Sequence, residues 1–320
     1  MSNFLVLIVL EILITGTDGF IGNYLKQYLK SNGSEVFGTV FIREPLENEV
    51  KFDIRKTEEF DKLPKRQFEV IIHTIGLIDQ TAPKKRLFEI NAEGTKKMLD
   101  WAMKNGCQHF IQLSSISVYG FKTMGENRTE DRTKRSQGRL MVPYGPSKAK
   151  AEIYIEESGL NYSILRLPSV LGEKDTFISP SIIPRLKNGT FFFSGKKNDK
   201  LFSTLYVKNL GPIIKKLINV GPLNNAFNCT DYQITWYEFV EEFAKNLNIE
   251  LIPRKKSFLT LLTHLKDKNY LYLLTNSYYG AHFPNDKLKE KIGFEPEYPW
   301  QEGVKEAING YLLQTNGKKI

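Results

Sequence analysis

The sequence predicts an α/β protein in which helices cover a doubly wound parallel sheet. Strand-like apolar runs and helix-like segments alternate from Glu11 to about Leu171, as such a sheet requires. The first apolar run, residues 12–14, leads through a glycine-rich turn into residues 24–29, where apolar side chains recur at helical spacing. After residue 171 the pattern becomes mixed, which indicates a smaller α/β carboxy-terminal lobe.

The turn after the first strand has the sequence TGTDGFIG, residues 15–22. Gly16 permits a tight turn, Gly19 lets the backbone approach a pyrophosphate, and Gly22 allows the helix to pack closely on the strand. The amino end of the helix attracts phosphate groups. The segment therefore predicts a dinucleotide cradle of Rossmann-like type, with Gly-x-x-Gly-x-x-Gly spacing instead of the commoner Gly-x-Gly-x-x-Gly.

Tyr144 and Lys148 lie in the run PYGPSK and, four residues apart on a helix, share one face. A free phenol titrates near pH ~10 and is a poor base at neutral pH. A nearby positive charge stabilises the phenolate and lowers its pKa. Pro146 is compatible with this helix because proline is tolerated in the first turn. The pair predicts acid–base chemistry, with a solvated helix face as the alternative for an isolated pair.

A serine-rich segment with the sequence QLSSISVYG, residues 112–120, follows a strand-like run at residues 109–111. A small hydroxyl at a strand end, such as that of Ser115, can hydrogen-bond a substrate carbonyl or alkoxide. The alternative is a strand–loop junction that binds no ligand.

These three segments, in this order, resemble the short-chain dehydrogenase/reductase superfamily. The chain length and the second half resemble its extended branch, which includes nucleotide-sugar epimerases, dehydratases and reductases. Five further motifs carry the resemblance, and they are FDI at 52–54, VIIHTIG at 70–76, NAEGT at 91–95, LRLPSVLG at 165–172 and KIGFEP at 291–296. The resemblance implies a dinucleotide-binding domain over residues 1–171. Residues 172–320 would form mainly a substrate-binding lobe, with segments that return to the sheet.

The resemblance also implies a role for each site residue. Tyr144 would be the acid–base, and Lys148 would lower its pKa and bind the nicotinamide ribose. Ser115 would hold the reacting oxygen, and Asn91 would help to order the site. The residues expected to bind the dinucleotide are Gly16, Gly19, Phe20, Ile21, Gly22, Arg43, Asp53, Ile54, Gly76, Lys148 and Pro168.

The end of the second strand bears on the choice between NAD and NADP. NAD-preferring relatives carry an acidic residue there, and counting without gaps from Gly16 places Val40 at that position. Without a carboxylate a 2′-phosphate is not repelled, and Arg43 is close enough in sequence to pair with it. The sequence therefore favours NADP over NAD.

The expected reaction is hydride transfer at a secondary alcohol or ketone, and two substrate classes remain open. A nucleotide-linked sugar is the first. Phe202 and Ser203, however, stand where many sugar-nucleotide enzymes carry an Arg-Asp pair whose Arg binds the diphosphate. The pattern from Ser203 to Leu210 is instead similar to 3β-hydroxysteroid dehydrogenase-like relatives, which favours an apolar secondary alcohol. The apolar residues in 258–262 and 270–274 would line a pocket for a lipid-like alcohol or pack within the lobe.

A third hypothesis is a sensor that binds the dinucleotide without turnover. The presence of Tyr144, Lys148 and Ser115 together argues against it, since a sensor needs no acid–base group.

Composition narrows the remaining function classes. The 320 residues carry a net charge of +9, but the basic residues are mostly scattered among acidic ones and form no nucleic-acid-binding motif. The expected partner is thus a small molecule and not a nucleic acid. One basic cluster would either rim the substrate mouth and attract an anionic substrate or form a charged surface loop, and its members are Arg128, Arg132, Lys134, Arg135 and Arg139.

Two cysteines, Cys107 and Cys229, lie far apart in sequence, which suits a reducing cytoplasm. The four histidines have no metal-ligand spacing, so no metal is expected. The apolar run at residues 4–10 is shorter than the ~20 residues of a membrane span and lacks the marks of a secretory signal. We expect it to extend the first strand without stable membrane insertion. Relatives often form dimers through the helix that bears the tyrosine, which makes a homodimer an expectation.

Overall fold

The computed structural model describes residues 10–79, 82–120, 127–131, 143–194, 200–252, 255–256 and 278–316. The strands are β1 (Glu11–Thr15), β2 (Glu35–Val40), β3 (Glu49–Lys51), β4 (Val70–His73), β5 (His109–Ser115), β6 (Tyr162–Leu167), β7 (Val170–Leu171), β8 (Phe193–Ser194), β9 (Leu201–Ser203), β10 (Leu205–Tyr206), β11 (Asn225–Asn228), β12 (Gln233–Thr235) and β13 (Lys255–Lys256).

The α-helices are α1 (Phe20–Ser31), α2 (Lys84–Phe88), α3 (Gly94–Lys104), α4 (Tyr144–Glu157), α5 (Ile178–Lys187), α6 (Val207–Val220), α7 (Trp236–Asn246), α8 (Asp286–Ile292) and α9 (Trp300–Asn316). A π-helical turn, Glu89–Glu93, joins α2 to α3, and short 3-10 helices span Thr57–Lys62 and Ile116–Tyr119.

Seven strands form one sheet in the order β3-β2-β1-β4-β5-β6-β11, and every neighbouring pair is parallel. The chain runs from β1 toward β3 on one side and from β4 toward β6 on the other. In such sheets ligands bind beyond the carboxyl ends of the strands, at the point where the direction reverses. The predicted Rossmann-like, doubly wound fold is confirmed.

Glycines set the geometry of the first strand–turn–helix unit. Gly16 has a φ of +78°, in the left-handed region that disfavours other residues. A Cβ added to Gly22 would lie 2.2 Å from the carbonyl oxygen of Gly16, so only glycine allows α1 to begin this close to β1. This turn leaves the amino end of α1 at the carboxyl edge of the sheet.

Alternate residues of the central strands face opposite helical layers. Ile12 and Ile14 pack in a buried cluster with residues of α1, α6 and α8, whereas Leu13 packs with residues of α3 and α4. Segments beyond residue 172, among them α6 and β11, thus belong to the layers of the central sheet.

A third buried cluster lies among α5, α7 and α9. Phe202 of β9 is central to it, with its ring centroid 4.9 Å from that of Trp236 and 4.8 Å from that of Phe239. A capping box starts α7, because Thr235 and Glu238 exchange hydrogen bonds. Residue 202 belongs to β9, which is followed by the short strand β10, and α6 begins at residue 207.

A buried ion pair joins α4 to the sheet. Arg166 of β6 donates to Glu152 of α4 at 2.9 Å, and their side chains are 2% and 0% exposed. The Ser114 hydroxyl donates to the same carboxylate at 2.5 Å. Arg166 also donates to the Tyr119 hydroxyl at 2.9 Å, and Tyr119 in turn contacts Asn228 of β11 at 2.7 Å. The network fixes α4 against three neighbouring strands.

Replacing Glu152 with Gln should destabilise the protein strongly. The buried Arg166 guanidinium would lose its only carboxylate partner among the described residues. Removing one member of a buried pair costs about 3–5 kcal/mol. Urea unfolding would measure this loss. As the matched control, Glu295→Gln removes an exposed carboxylate 3.6 Å from Lys289 and should cost less than about 1 kcal/mol. Equal effects of the two substitutions would contradict the importance assigned to the buried pair.

Candidate active site

Helix α4 presents Tyr144 in its first turn and Lys148 one turn later, as the sequence predicted. Tyr144 is half-buried, whereas Lys148 is only 4% exposed. The Lys148 ammonium donates to the carbonyl oxygen of Leu113 on β5 at 2.7 Å. Pro146 lies within the first turn of α4, where its missing N–H breaks no helical hydrogen bond.

A cavity of about 190 Å³ lies at the carboxyl end of β5 and brings half of the predicted site residues together. Apolar side chains such as Ile116, Leu167 and Val170 form part of its wall. The predicted site residues that line the cavity are Phe20, Ile21, Gly76, Ser115, Tyr144, Lys148 and Pro168.

Burial lowers the pKa of Lys148 to about 8, and the nearby Glu152 carboxylate partly opposes that shift. Behind it, burial and the Lys148 charge lower the pKa of His73 to about 3. The His73 ring lies between the hydroxyls of Thr15 at 2.7 Å and Thr95 at 3.2 Å. His73 is therefore a neutral, packed residue at the end of β4.

Asn91 sits in the π-helical turn between α2 and α3 and is fully buried. Its amide nitrogen donates to the Ser147 hydroxyl at 2.9 Å and to the Leu77 carbonyl at 3.0 Å, and its oxygen accepts from the Leu77 N–H at 2.7 Å. A Cβ added to Gly76 would lie 3.4 Å from the Lys148 ammonium and 3.6 Å from the Asn91 oxygen. Asn91 thus braces the loop after β4 against α4.

Ser115 ends β5, and its hydroxyl accepts from the N–H of Ser117 at 3.1 Å. Gly145 brings α4 against this segment, because a Cβ there would lie 2.4 Å from the carbonyl oxygen of Ser117. This close approach puts Tyr144 beside the serine-rich segment.

The other predicted cofactor residues lie outside the cavity lining. Gly16, Gly19 and Gly22 form the turn, with Gly19 exposed just before α1. Asp53 follows β3 and pairs with Arg55 at 2.6 Å, while Ile54 is 4% exposed and packs against Gly94.

Arg43 follows β2, and its two terminal nitrogens donate hydrogen bonds to the Glu49 carboxylate at 2.6 and 2.7 Å. The Glu49 side chain is fully buried and also accepts from Lys26 at 2.8 Å and from the Thr17 hydroxyl at 2.7 Å. Burial raises the pKa of Glu49, but hydrogen bonds from Arg43 and Lys26 outweigh it and hold that pKa far below the ordinary value. The guanidinium expected to meet a 2′-phosphate is therefore already paired.

One expectation about the substrate mouth differs from the structure. Arg128 is 5% exposed, with its guanidinium 4.2 Å from the ring centroid of Phe283, so it is not part of a cationic rim. Its burial follows from that packing and from a hydrogen bond to the Gly280 carbonyl at 3.3 Å. The other four basic residues of the cluster lie outside the described residues, as do residues 4–9, 258–262 and 270–274.

Sequence reasoning missed Asp175 and Phe177, which also line the cavity. The Asp175 carboxylate accepts from the backbone N–H groups of Phe177, Ile178 and Ser179 at 2.7–3.0 Å, and so caps the start of α5. An aspartate just before an apolar helical segment is a recognisable capping signal.

Among the residues that the structure describes, no group of three or more histidine, cysteine, aspartate or glutamate side chains has the arrangement of a metal site. No helix in this part of the chain has the length and apolar character needed to cross a membrane.

The depressed pKa of Lys148 predicts a pH-dependent stability. Between pH 8 and 10.5 the unfolded chain holds the Lys148 proton and the folded chain releases it, so stability rises with pH in that window. Below pH 8 both states are protonated, and the full cost of burying the charge is present. The free energy of unfolding should therefore rise in the wild type by up to about 3 kcal/mol relative to Lys148→Met across this window. Urea unfolding at a series of pH values would test this, and a difference that stays constant with pH would contradict it.

Comparisons with known proteins identify the family of this chain. The sequence model of the NAD dependent epimerase/dehydratase family matches residues 12–218. Sterol-4-alpha-carboxylate 3-dehydrogenase, decarboxylating, from Dictyostelium discoideum is 24% identical over 92% of this chain and 99% of its own length. UDP-glucose 4-epimerase from Vibrio cholerae is also 24% identical, over 96% of this chain and 97% of its own.

Solved structures share the fold at low sequence identity. The Bordetella bronchiseptica enzyme WbmH in complex with NAD+ has a TM-score of 0.76 and 18% identity, and the match covers 95% of this chain and 99% of that one. UDP-glucose 4-epimerase from Thermotoga maritima with UDP-glucose has a TM-score of 0.74 and 20% identity, covering 96% and 100%. Because the family match spans more than half of the sequence, this protein belongs to the NAD dependent epimerase/dehydratase family, a family of NAD(P)-using oxidoreductases and epimerases.

Proposed function

We propose that this protein transfers a hydride between a nicotinamide dinucleotide and a secondary alcohol or ketone. The observation that carries the proposal is the shared cavity of Tyr144, Lys148 and Ser115 at the carboxyl edge of the sheet. The dinucleotide supplies the hydride chemistry, and the protein supplies position and proton transfer. The turn fits such a group, because Gly19 leaves only backbone at the exposed amino end of α1.

Each cavity residue has a proposed part in the reaction. In the oxidative direction the Tyr144 phenolate takes the proton of the substrate hydroxyl, and in the reductive direction the phenol returns it. The Lys148 ammonium favours the phenolate by its charge and would hold the nicotinamide ribose. The Ser115 hydroxyl would donate to the reacting oxygen. Asn91 would act as a positioning residue, through its hydrogen bonds to Ser147 and Leu77.

Residues 172–320 would supply most of the substrate contacts, and the cavity already includes Asp175 and Phe177 from this part. The unpaired, buried cysteines Cys107 and Cys229 support our placing the protein in a reducing cytoplasm.

A nucleotide-linked sugar is the first candidate substrate, and sugar-nucleotide epimerases among the relatives support it. An apolar secondary alcohol is the second, and one observation favours it. Phe202 occupies the position at which a diphosphate-binding arginine was expected, and it is 3% exposed within the aromatic cluster of Trp236 and Phe239. The side chain at that position therefore has no positive charge with which to bind a diphosphate. The sterol dehydrogenase among the relatives supports the same alternative.

Replacing Tyr144 with Phe should lower kcat by about 10²–10⁴-fold, because the acid–base group is lost while the ring remains. The rate would be followed by NAD(P)H absorbance with a panel of UDP-sugars and 3β-hydroxysteroids. Tyr154→Phe is the matched control, since Tyr154 lies on the same helix with its hydroxyl on the surface residue Glu93, and it should keep the full rate. A Tyr144→Phe protein that retains wild-type turnover would exclude Tyr144 as the acid–base.

Thermal unfolding with ligands should separate the two substrate classes. A ligand that binds only the folded state stabilises it by about 2.7 kcal/mol at a hundredfold excess over Kd. Dinucleotide alone should raise Tm. If the substrate is an apolar alcohol, as Phe202 indicates, then UDP, GDP or dTDP added to the dinucleotide should not raise Tm further, whereas a 3β-hydroxysteroid should. An additional rise with one nucleoside diphosphate would establish the sugar-nucleotide class and identify its base.

A further inference from the structure

The carboxylate of Asp18 lies at the end of a strand to which it does not belong. Asp18 is in the glycine-rich turn, yet its Oδ2 accepts from the backbone N–H groups of Phe41 at 2.7 Å and Ile42 at 2.6 Å. These are the first two residues after β2. The turn thus places a negative charge on the carboxyl end of the second strand.

This is where a doubly wound fold holds the adenosine ribose of a dinucleotide, and an acidic side chain there bonds the ribose hydroxyls. The last residue of β2, Val40, has no such group and is 1% exposed. Asp18 brings a carboxylate to the same place from the neighbouring segment. Its second oxygen, Oδ1, makes no hydrogen bond to any residue that the structure describes, which leaves it open to accept one from a ribose hydroxyl.

The cation that would meet a 2′-phosphate is engaged elsewhere. Arg43 holds Glu49 through two hydrogen bonds and is also attracted by the charge of Asp18. A 2′-phosphate would have to draw Arg43 away from Glu49, whose side chain is fully buried. It would also have to approach the Asp18 carboxylate, and two negative charges close together repel each other.

We propose that Asp18 makes this site select NAD over NADP, because it accepts hydrogen bonds from the adenosine ribose and repels a 2′-phosphate. The selection reverses the preference for NADP that Val40 and Arg43 indicated in the sequence. It rests on the dinucleotide site of the proposed function and assigns the specificity of that site to one residue.

Calorimetric titration of the protein with NAD and with NADP, without substrate, tests this selection. The wild type should bind NAD at least about tenfold more tightly than NADP. Asp18→Asn keeps an oxygen that can accept from the two N–H groups and removes only the charge. This variant should bind NADP more tightly than the wild type does, and the NAD/NADP affinity ratio should fall by about tenfold. Asp18→Ser should shift the ratio in the same direction.

The control is Glu47→Gln, which removes the same charge from an exposed position in the loop between β2 and β3. Its affinity ratio should equal that of the wild type, so an equal shift in this variant would overturn the role of Asp18. A wild-type preference for NADP that Arg43→Ala abolishes would overturn it too, in favour of Arg43. If both dinucleotides bind without discrimination, this inference alone fails. If neither binds, the proposed function fails with it.

Discussion

The buried pair of Glu152 and Arg166 is the interaction on which the geometry of this site depends. Helix α4 carries Tyr144, the proposed acid–base, and Lys148, whose charge would favour its phenolate, and Glu152 lies one turn beyond Lys148 on that helix. Burying two charges is costly unless each is paired and its remaining hydrogen bonds are made. Here the Ser114 hydroxyl donates a hydrogen bond to Glu152, and the Tyr119 hydroxyl accepts one from Arg166. A shift of α4 relative to the sheet would break the contacts of Glu152 with Arg166 and Ser114 together, so the position of α4 is tightly defined.

The same carboxylate contributes to the electrostatics of the site. Burial disfavours the charge on Lys148, and the nearby Glu152 partly restores it. The balance keeps the lysine pKa close to neutral pH, where an ammonium still favours a neighbouring phenolate. Glu152 therefore both holds α4 against the sheet and stabilises the charge of Lys148. Burying the Lys148 ammonium destabilises the fold, but it places a positive charge in the site. Asn91 and Gly145 complete the arrangement by holding the loops after β4 and β5 against α4.

Features that depend on neighbouring residues in the sequence could be predicted. The glycine spacing gave the turn after β1, and the order of strands and helices gave the parallel sheet. Most of the contacts that alter the interpretation of the site join segments that are distant in sequence. Asp18 reaches the end of β2 across 23 residues, and Arg128 packs on Phe283 from another part of the fold. Arg43 and Glu49 are close in sequence, but they meet where β2 and β3 pair in the sheet. No local pattern encodes these partners, since they follow from packing.

A crystal structure of the protein with NAD would test the central claim most directly, namely that the glycine turn and the start of α4 form one site. We predict that the pyrophosphate lies at the amino end of α1 and the nicotinamide ring in the cavity beside Tyr144 and Ser115, with Lys148 bound to its ribose. A dinucleotide bound with its nicotinamide outside this cavity, away from Tyr144, would contradict the account.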